Sequence, residues 1–462
     1  MKRFSLLTGL FVALAAFFLT ASAQAATKNN RTVILISVDG LASYYLNDPK
    51  AHMPTIRRLA REGAVASRLE CSFPTVTWPN HTTLVTGVTP GRHGVIGNNY
   101  FDREKQKTIS FIPDPLFDKH EIVKTPTVYD VAHNAGLKTA GVIWPATRRA
   151  STLDWTVPDV FDQKIFEDSA TPGLLAEFKA AGIPYEKQME WCKLGNAGKP
   201  QRDYMYARMC DHILRAKKPN LLLLHLVTVD ALEHATGRQS PEAYWACNDS
   251  DNRVRDLIES VEAAGLSDRT AFFIVSDHGF ITYTKQIKPN VLLKKEGLLT
   301  AAGPTVKSRK AYCQTQGGGA FIYVLDKANR TAIIKDLKSK FAATEGVAAV
   351  IGTEDFAKHG HLTPDQDPRE PDIMLSAKDG YSFSGTAAGD DVISSSGSPK
   401  GSHGYLPTHP LMYGSFIASG AGIKKGVKLG DISNMDVAPT IAAVLGLEMK
   451  DVDGRVLKEI LK

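Results

Sequence analysis

The apolar positions of this chain fall into short unbroken runs separated by stretches with a helical period. Thr32–Val38, Thr139–Ile143, Leu221–Val227, Ala271–Val275 and Ser415–Ala418 are nearly continuous apolar and β-branched runs, the content expected of strands buried on both faces. Pro54–Glu62, Tyr204–Lys217, Asp251–Ala264 and Asp436–Leu445 instead space their apolar residues as amphipathic helices. The alternation predicts an α/β fold with a mostly parallel central sheet and helices on both faces. The segment from Ile281 to about Lys400 breaks this rhythm. It holds Gly317-Gly318-Gly319, a β-type run Ala320–Leu325 and a Gly/Ser-rich stretch Gly385–Gly401. It predicts an inserted small α+β lobe over about 281–400, with a loop returning to the core at His403. No internal repeat is evident.

The first 25 residues depart from both patterns. Lys2 and Arg3 precede an apolar stretch Leu6 to Thr20, and Ala23-Gln24-Ala25 gives an A-x-A cleavage site, so 1–25 reads as a signal peptide. The apolar stretch is short for a bilayer span, and no later run approaches ~20 apolar residues. The expectation is a periplasmic or secreted catalytic domain over 26–462, with no membrane anchor after signal removal. The formal net charge of +6 is mild for 462 residues and its Lys and Arg are scattered, which argues against a nucleic-acid polymer as partner. The five cysteines, Cys71, Cys192, Cys210, Cys247 and Cys313, contain no C-x-x-C pair, so a cysteine zinc site is not expected. Their spacing leaves one or two disulfides and free buried thiols equally open.

The chemistry lies where predicted strands end. Asp39 follows the first run directly and Asp277 comes two residues after the fourth, with His278 beside it; Asp230 comes three after the third, with His234 four further on. His403 stands alone in Ser-His-Gly-Tyr. In open α/β sheets the ligand crevice lies at the carboxyl ends of the strands, so the three aspartates should converge. Three Asp and three His make two three-ligand sets with positions left open, as in catalytic zinc sites. Carboxylate with imidazole suits Zn²⁺, or Mn²⁺, Fe²⁺ or Co²⁺, and disfavours an all-oxygen Mg²⁺ or Ca²⁺ cage. Asp230 and His234 share a face if the loop turns helically. The adjacent pair Asp277-His278 needs a sharp bend, which Gly279 is expected to permit. Between these runs, Phe73 to His81 offers hydroxyl nucleophiles.

These runs, in this order, resemble the alkaline phosphatase superfamily and, within it, the nucleotide pyrophosphatase/phosphodiesterase family. The nucleophile run of that family is matched by Pro74-Thr75-Val76-Thr77-Trp78-Pro79-Asn80-His81 with Thr86-Gly87 behind it, and its His-Gly-Ile-x-x-Asn by His93-Gly94-Val95-Ile96-Gly97-Asn98. The closing run Asp436-Val-Ala-Pro-Thr and the later Asp453-Gly454-Arg455 are similar as well. The resemblance implies an alkaline-phosphatase-like sandwich and two zinc ions, one on Asp39, Asp277 and His278, the other on Asp230, His234 and His403. It implies Thr77 as the metal-activated nucleophile, with a phosphothreonine intermediate, and Asn98 as a phosphoryl-oxygen donor. Thr75 becomes a structural neighbour.

The run Val142-Ile143-Trp144-Pro145-Ala146-Thr147 is similar to the Trp-Pro-Gly-Ser of diesterases and lacks the lysine of monoesterases. The implied substrate is therefore a small-molecule nucleotide or other phosphodiester, with Trp78 and Phe161 or Phe166 flanking a base. A phosphomonoesterase or phosphonate hydrolase on the same two ions is the alternative, with Arg148-Arg149 as a source of extra charge. Cys71-Ser72-Phe73-Pro74-Thr75 lacks the C-x-P-x-R of sulfatases. A non-catalytic periplasmic binding protein would have no use for a positioned nucleophile. Among the other histidines, His81 is expected to brace the nucleophile turn, His93 to sit in a turn, and His225 to be a satisfied core residue. His359, His361 and His409 are expected at surface or lobe positions. The oligomeric state stays open.

Overall fold

The structure, a computed structural model, describes residues 30–112 and 117–462. The proposed signal peptide thus lies outside the described residues. Eight strands form the central sheet: β1 Thr32–Val38, β2 Ala64–Glu70, β3 Thr139–Val142, β4 Trp155–Val157, β5 Leu221–Leu226, β6 Thr270–Val275, β7 Phe416–Gly420 and β8 Val427–Ser433. Their order is β8-β2-β7-β6-β1-β5-β3-β4. All ladders within β6-β1-β5-β3-β4 are parallel, as is β8-β2. β7 pairs antiparallel to both its neighbours and is the exception in an otherwise parallel sheet.

Every residue of β1, β5 and β6 is buried, because apolar layers cover both faces of these strands. Alternation along β1 assigns Ile34, Ile36 and Val38 to one core and Val33 and Leu35 to the other. The first core is closed by α1 Pro54–Glu62, α3 Lys199–Lys217 and α5 Pro241–Ala263. The second is closed by α2 Thr77–Thr86 and α6 Val437–Val444. A short helix, α4 Thr228–Thr236, follows β5 directly. The α/β class expected from the sequence is the one observed.

Beyond β6 the described residues build three smaller sheets, one of them a two-stranded hairpin of Leu299–Ala302 and Thr305–Arg309. Ala311–Gln316, Gly319–Val324, Ile373–Ala377 and Val347–Gly352 form an antiparallel four-stranded sheet over a core that includes Ile322, Leu375 and, from helix Arg330–Ala342, Leu337 and Phe341. Ile281–Ile287 is sandwiched between Gly380–Phe383 and Ile393–Ser402. The Gly/Ser-rich stretch expected as a loop is thus partly a strand. Its side chains are small and mostly exposed, and the ladder to Ile281–Ile287 holds it, with an irregularity between Ser395 and Lys400. That strand ends at Ser402 and delivers His403. All five cysteines are unpaired, and among the described residues no helix is long and apolar enough to cross a membrane.

Candidate active site

The carboxyl ends of β1, β5 and β6 bring the six expected ligands into one cluster, with Asp39, Asp277, His278 and His403 buried, Asp230 half-buried and His234 exposed at its rim. Asp39 follows β1 and leads into Gly40, whose φ of +76° and crowded surroundings suit only glycine: a Cβ there would lie 2.8 Å from the Phe280 ring. Asp230 and His234 stand one turn apart on α4, with the Asp230 Oδ1 3.3 Å from the His234 Nε2. The His278 Nε2 lies 3.3 Å from Asp39 Oδ1 and 3.2 Å from Asp277 Oδ2. Gly279 makes this possible by a different route from the one expected. Its φ is not left-handed; instead the Leu411 carbonyl oxygen passes 2.0 Å from where a Cβ would sit.

His403 closes the cluster from the far end of the chain. Its ring stacks on that of His278 at 3.7 Å between centroids, and its Nε2 lies 3.0 Å from the Nε2 of His234. The other ring nitrogens decide what this means. Nδ1 of His234 faces the Gly401 carbonyl at 3.0 Å, and Nδ1 of His403 faces the Thr75 carbonyl at 2.9 Å. A carbonyl only accepts, so both Nδ1 atoms carry a proton and the two Nε2 atoms are the nitrogens turned toward one another. With Asp230 Oδ1 3.5 Å from the His403 Nε2, the arrangement is what a cation requires.

Two groups of ligand atoms are close enough to hold an ion: Asp230, His234 and His403, and Asp39, Asp230 and His278. Asp230 therefore stands within reach of both, and Asp277 adds its carboxylate beside Asp39 and His278. Buried atoms without a hydrogen-bond partner concentrate here: Asp39 Oδ1, Asp230 Oδ1, Asp277 Oδ2 and both nitrogens of His278. Burial, then the neighbouring Asp230, push the Asp39 carboxyl well above the usual range; burial and Asp39 do the same to Asp277. Burial and His234 lower His403 to about 4, leaving its Nε2 free to bind a metal at neutral pH. The buried carboxyls of Asp39 and Asp277 resist ionising together unless a cation joins them. The residues present fit two divalent metal ions.

The nucleophile run is tied to this cluster at several points. Thr77 is the first residue of α2, so its N–H has no intrahelical acceptor and the helix dipole points its positive end at the site. Asn80 Nδ2 donates to the carbonyls of Pro74 and Val76 at 3.1 and 2.8 Å, folding the turn before the helix. Thr75 receives Gly404 N on its hydroxyl at 3.0 Å and donates to Tyr405 O at 3.0 Å. His81 donates to the Thr77 carbonyl and lies 3.5 Å from Asp277. Asn98 Oδ1 accepts from Trp78 N at 2.9 Å, which leaves its amide NH₂ as the free end near the start of α2.

Other expectations meet a different arrangement. Trp78 is 1% exposed, stacks on Phe111 at 5.9 Å with 13° between planes, and packs with Val95, Ile122 and Ala146. It has no open face, so its expected role beside a base is corrected: it is core behind Thr77. Phe166 is fully buried in the first core. Phe161 carries the Arg202 guanidinium over its ring at 5.0 Å and the Lys199 Nζ at 5.8 Å. Arg148 and Arg149 both face Asp118, at 3.0 and 3.6 Å. His225 is a core histidine, but it also holds Asp39 Oδ2 at 2.9 Å, orienting a metal-type ligand. Nothing in its Leu-rich strand signalled that. His361 bridges Glu370 and the Phe73 carbonyl at 2.8 Å, so a lobe histidine braces the nucleophile run.

The sequence matches the family model described as type I phosphodiesterase / nucleotide pyrophosphatase over residues 33–406. The chain belongs to this family. The hydrolase class expected from the sequence, a phosphodiesterase/nucleotide pyrophosphatase, stands with it. Among curated relatives, an uncharacterized pyrophosphatase/phosphodiesterase of Schizosaccharomyces pombe is 25% identical over 92% of this chain and 78% of its own length. Ectonucleotide pyrophosphatase/phosphodiesterase family member 1 of Mus musculus is 24% identical over 53% of this chain and 24% of its own length, so the match spans about a quarter of that relative. Murine ectonucleotide pyrophosphatase/phosphodiesterase 5 superposes with a TM-score of 0.70 at 20% identity, covering 94% of this chain and 100% of the other. That likeness shows the alkaline-phosphatase-like fold.

Proposed function

We propose that this family member is a secreted or periplasmic two-zinc phosphodiesterase/nucleotide pyrophosphatase that cleaves phosphodiester or phosphoanhydride bonds of nucleotides through a phosphothreonine intermediate on Thr77. The observation that carries the reading is the pair of Nε2 atoms of His234 and His403 meeting 3.0 Å apart beside Asp230, with His403 tied to the Thr75 carbonyl two residues before Thr77. One ion would sit on Asp230, His234 and His403, and the other on Asp39, Asp277 and His278. When bound, two such ions lower the pKa of a hydroxyl and offset the charge on a phosphoryl group.

The chain's own residues do the rest. The start of α2 sets Thr77 beside the cluster, through His81 and the His403–Thr75 bond, while the Thr77 N–H and the Asn98 NH₂ bind a non-bridging oxygen where charge builds. Attack by Thr77 Oγ on phosphorus breaks the bond to the leaving oxygen, which departs with the electron pair. Water then attacks the same phosphorus and returns the threonine hydroxyl. The likeness to a solved inactive threonine-to-alanine variant of the murine family member 5, in complex with AMP, supports a nucleotide substrate.

The test compares zinc-loaded protein on a nitrophenyl nucleotide diester and on nitrophenyl phosphate. A higher kcat/KM for the diester is expected. A higher value for the monoester would put the phosphomonoesterase reading in its place.

A further inference from the structure

The inserted lobe reaches back to the nucleophile run through one buried pair. His361 and Glu370 are 3% and 0% exposed, and the His361 Nδ1 lies 3.1 and 3.0 Å from the two carboxylate oxygens of Glu370. On its other side the His361 Nε2 lies 2.8 Å from the carbonyl oxygen of Phe73, four residues before Thr77. A carbonyl only accepts, so Nε2 carries a proton and donates it there. Burial opposes a charge on this ring, but Glu370 holds its pKa above the usual imidazole value. The result is a buried ion pair with one N–H turned on the nucleophile run.

The same lobe segment brackets α2 on both sides. The Phe73 ring is 1% exposed and sits in a core with Phe321, Tyr323 and Met374 of the four-stranded lobe sheet. Beyond the end of α2, Gly91 N donates to the Gly360 carbonyl at 2.8 Å, and Arg369 Nη1 donates to the Gly94 carbonyl at 2.8 Å on the way to Asn98. The segment is itself fixed to the lobe. Asp372 is fully buried and accepts from Val324 N at 2.6 Å and from Arg330 Nε at 2.8 Å. None of these contacts involves one of the six metal-type ligands.

We propose that His361, held by Glu370, is a positioning residue for the reaction: its Nε2–H fixes the Phe73 carbonyl and, through it, the place of Thr77 beside the metal-type cluster. The proposal deepens the reading above and rests on its assignment of Thr77. Attaching the lobe needs only apolar packing, which the Phe73 ring already supplies. A buried charged pair costs desolvation, and what it adds over apolar residues of the same size is a directed bond. Asn80 ties the Pro74 and Val76 carbonyls together, so a shift of Phe73 carries through to Thr77 with little slack.

The experiment is built on zinc-loaded Glu370→Leu, which removes the charge of the pair and leaves a neutral His361 still donating to Phe73. In this background His361→Phe keeps a ring without a donor, and His361→Gln puts an amide N–H where Nε2 was. Replacing both members of a buried pair by apolar residues of similar volume is often neutral for stability, so the phenylalanine variant is expected to fold. Its kcat should fall roughly tenfold to a hundredfold, the cost of a small misplacement of a nucleophile, with KM and metal content unchanged. The glutamine variant should recover kcat to within about threefold of Glu370→Leu. His361→Asn, whose amide lies where Nδ1 was, gives a second donor-free reading and should match phenylalanine. Equal kcat in the glutamine variant and the donor-free variants overturns the proposal, as does a loss that falls on KM or on bound metal. All variants are compared on whichever nitrophenyl substrate the wild type prefers, so a monoester preference leaves this test intact. An active Thr77→Ala would remove the nucleophile assignment and not the difference in kcat.

Discussion

The ring of His403 donates from Nδ1 to the carbonyl oxygen of Thr75, 2.9 Å away and 328 residues earlier in the chain. The adjacent Gly404 N–H meets the Thr75 hydroxyl at 3.0 Å. The segment leaving the lobe therefore locks together two things the chemistry needs in fixed relation: a metal-type ligand and the turn that starts α2 at Thr77. Precision of this order matters, because small misplacements of a nucleophile cost large factors in rate.

Thr77→Ala should abolish turnover while metal content stays near two ions per chain. The six ligand side chains are on other residues, and Thr77 is not needed to complete either three-ligand group. Steady-state rates with parallel metal analysis check this. More than a few per cent of wild-type kcat in the variant would count against Thr77.

His234→Ala and His403→Ala should each lose about one ion and most activity, since removing one of three protein ligands weakens a site severely. The two variants should behave alike, because their Nε2 atoms face each other across 3.0 Å. Metal analysis after dialysis reads the outcome; two tightly held ions in both variants would sink the assignment. A chelator should inactivate the wild type, with Zn²⁺ restoring it.

Trp78→Ala should lower kcat/KM by similar factors for a nucleotide diester and for bis-nitrophenyl phosphate, which has no base. A ring 1% exposed and stacked on Phe111 supports Thr77 from behind and touches no substrate. Truncation should also cost about 3–5 kcal/mol of stability, as for other buried aromatics. A loss confined to the base-bearing substrate would show that the ring has an open face after all.

How much of this was legible beforehand depends on the range of the interaction. The buried runs of β1, β5 and β6 announce themselves locally, so Asp39, Asp230 and Asp277 could be placed at strand ends from the sequence. His225 could not be assigned its bond to Asp39, because a histidine in Leu221–Leu226 looks the same whether or not a neighbouring strand supplies a carboxylate. The helix predicted over Tyr204–Lys217 starts earlier, at Lys199, which was not legible because its first turn carries mostly polar residues and shows no apolar period. Trp78 was misread because an aromatic after the nucleophile can face either way, and Phe111 and Ile122, far along the chain, decide which.

Asp367→Asn should weaken the protein at neutral pH and remove part of its acid sensitivity. Burial opposes the Asp367 charge, but Arg369 holds its pKa down from 3.8 to about 2. A depressed folded pKa contributes stability that is present above the unfolded value and lost as pH falls through about 2. The contribution at neutral pH is at most about 2 kcal/mol. Arg369 also donates to the Gly94 carbonyl at 2.8 Å, so the pair clamps the run leading to Asn98. Denaturant midpoints at pH 7 and pH 2.5 check the sign: the gap between wild type and variant should shrink at the lower pH. A gap that grows would refute the linkage.

The most direct test is rapid-quench mass spectrometry of the zinc-loaded wild type during hydrolysis of a nucleotide diester. The account predicts a transient nucleotidyl adduct on the peptide containing Thr77, located on that residue by fragmentation and missing from Thr77→Ala. Turnover with no adduct at any time point, in a protein whose Thr77→Ala variant still hydrolyses the diester, would contradict it.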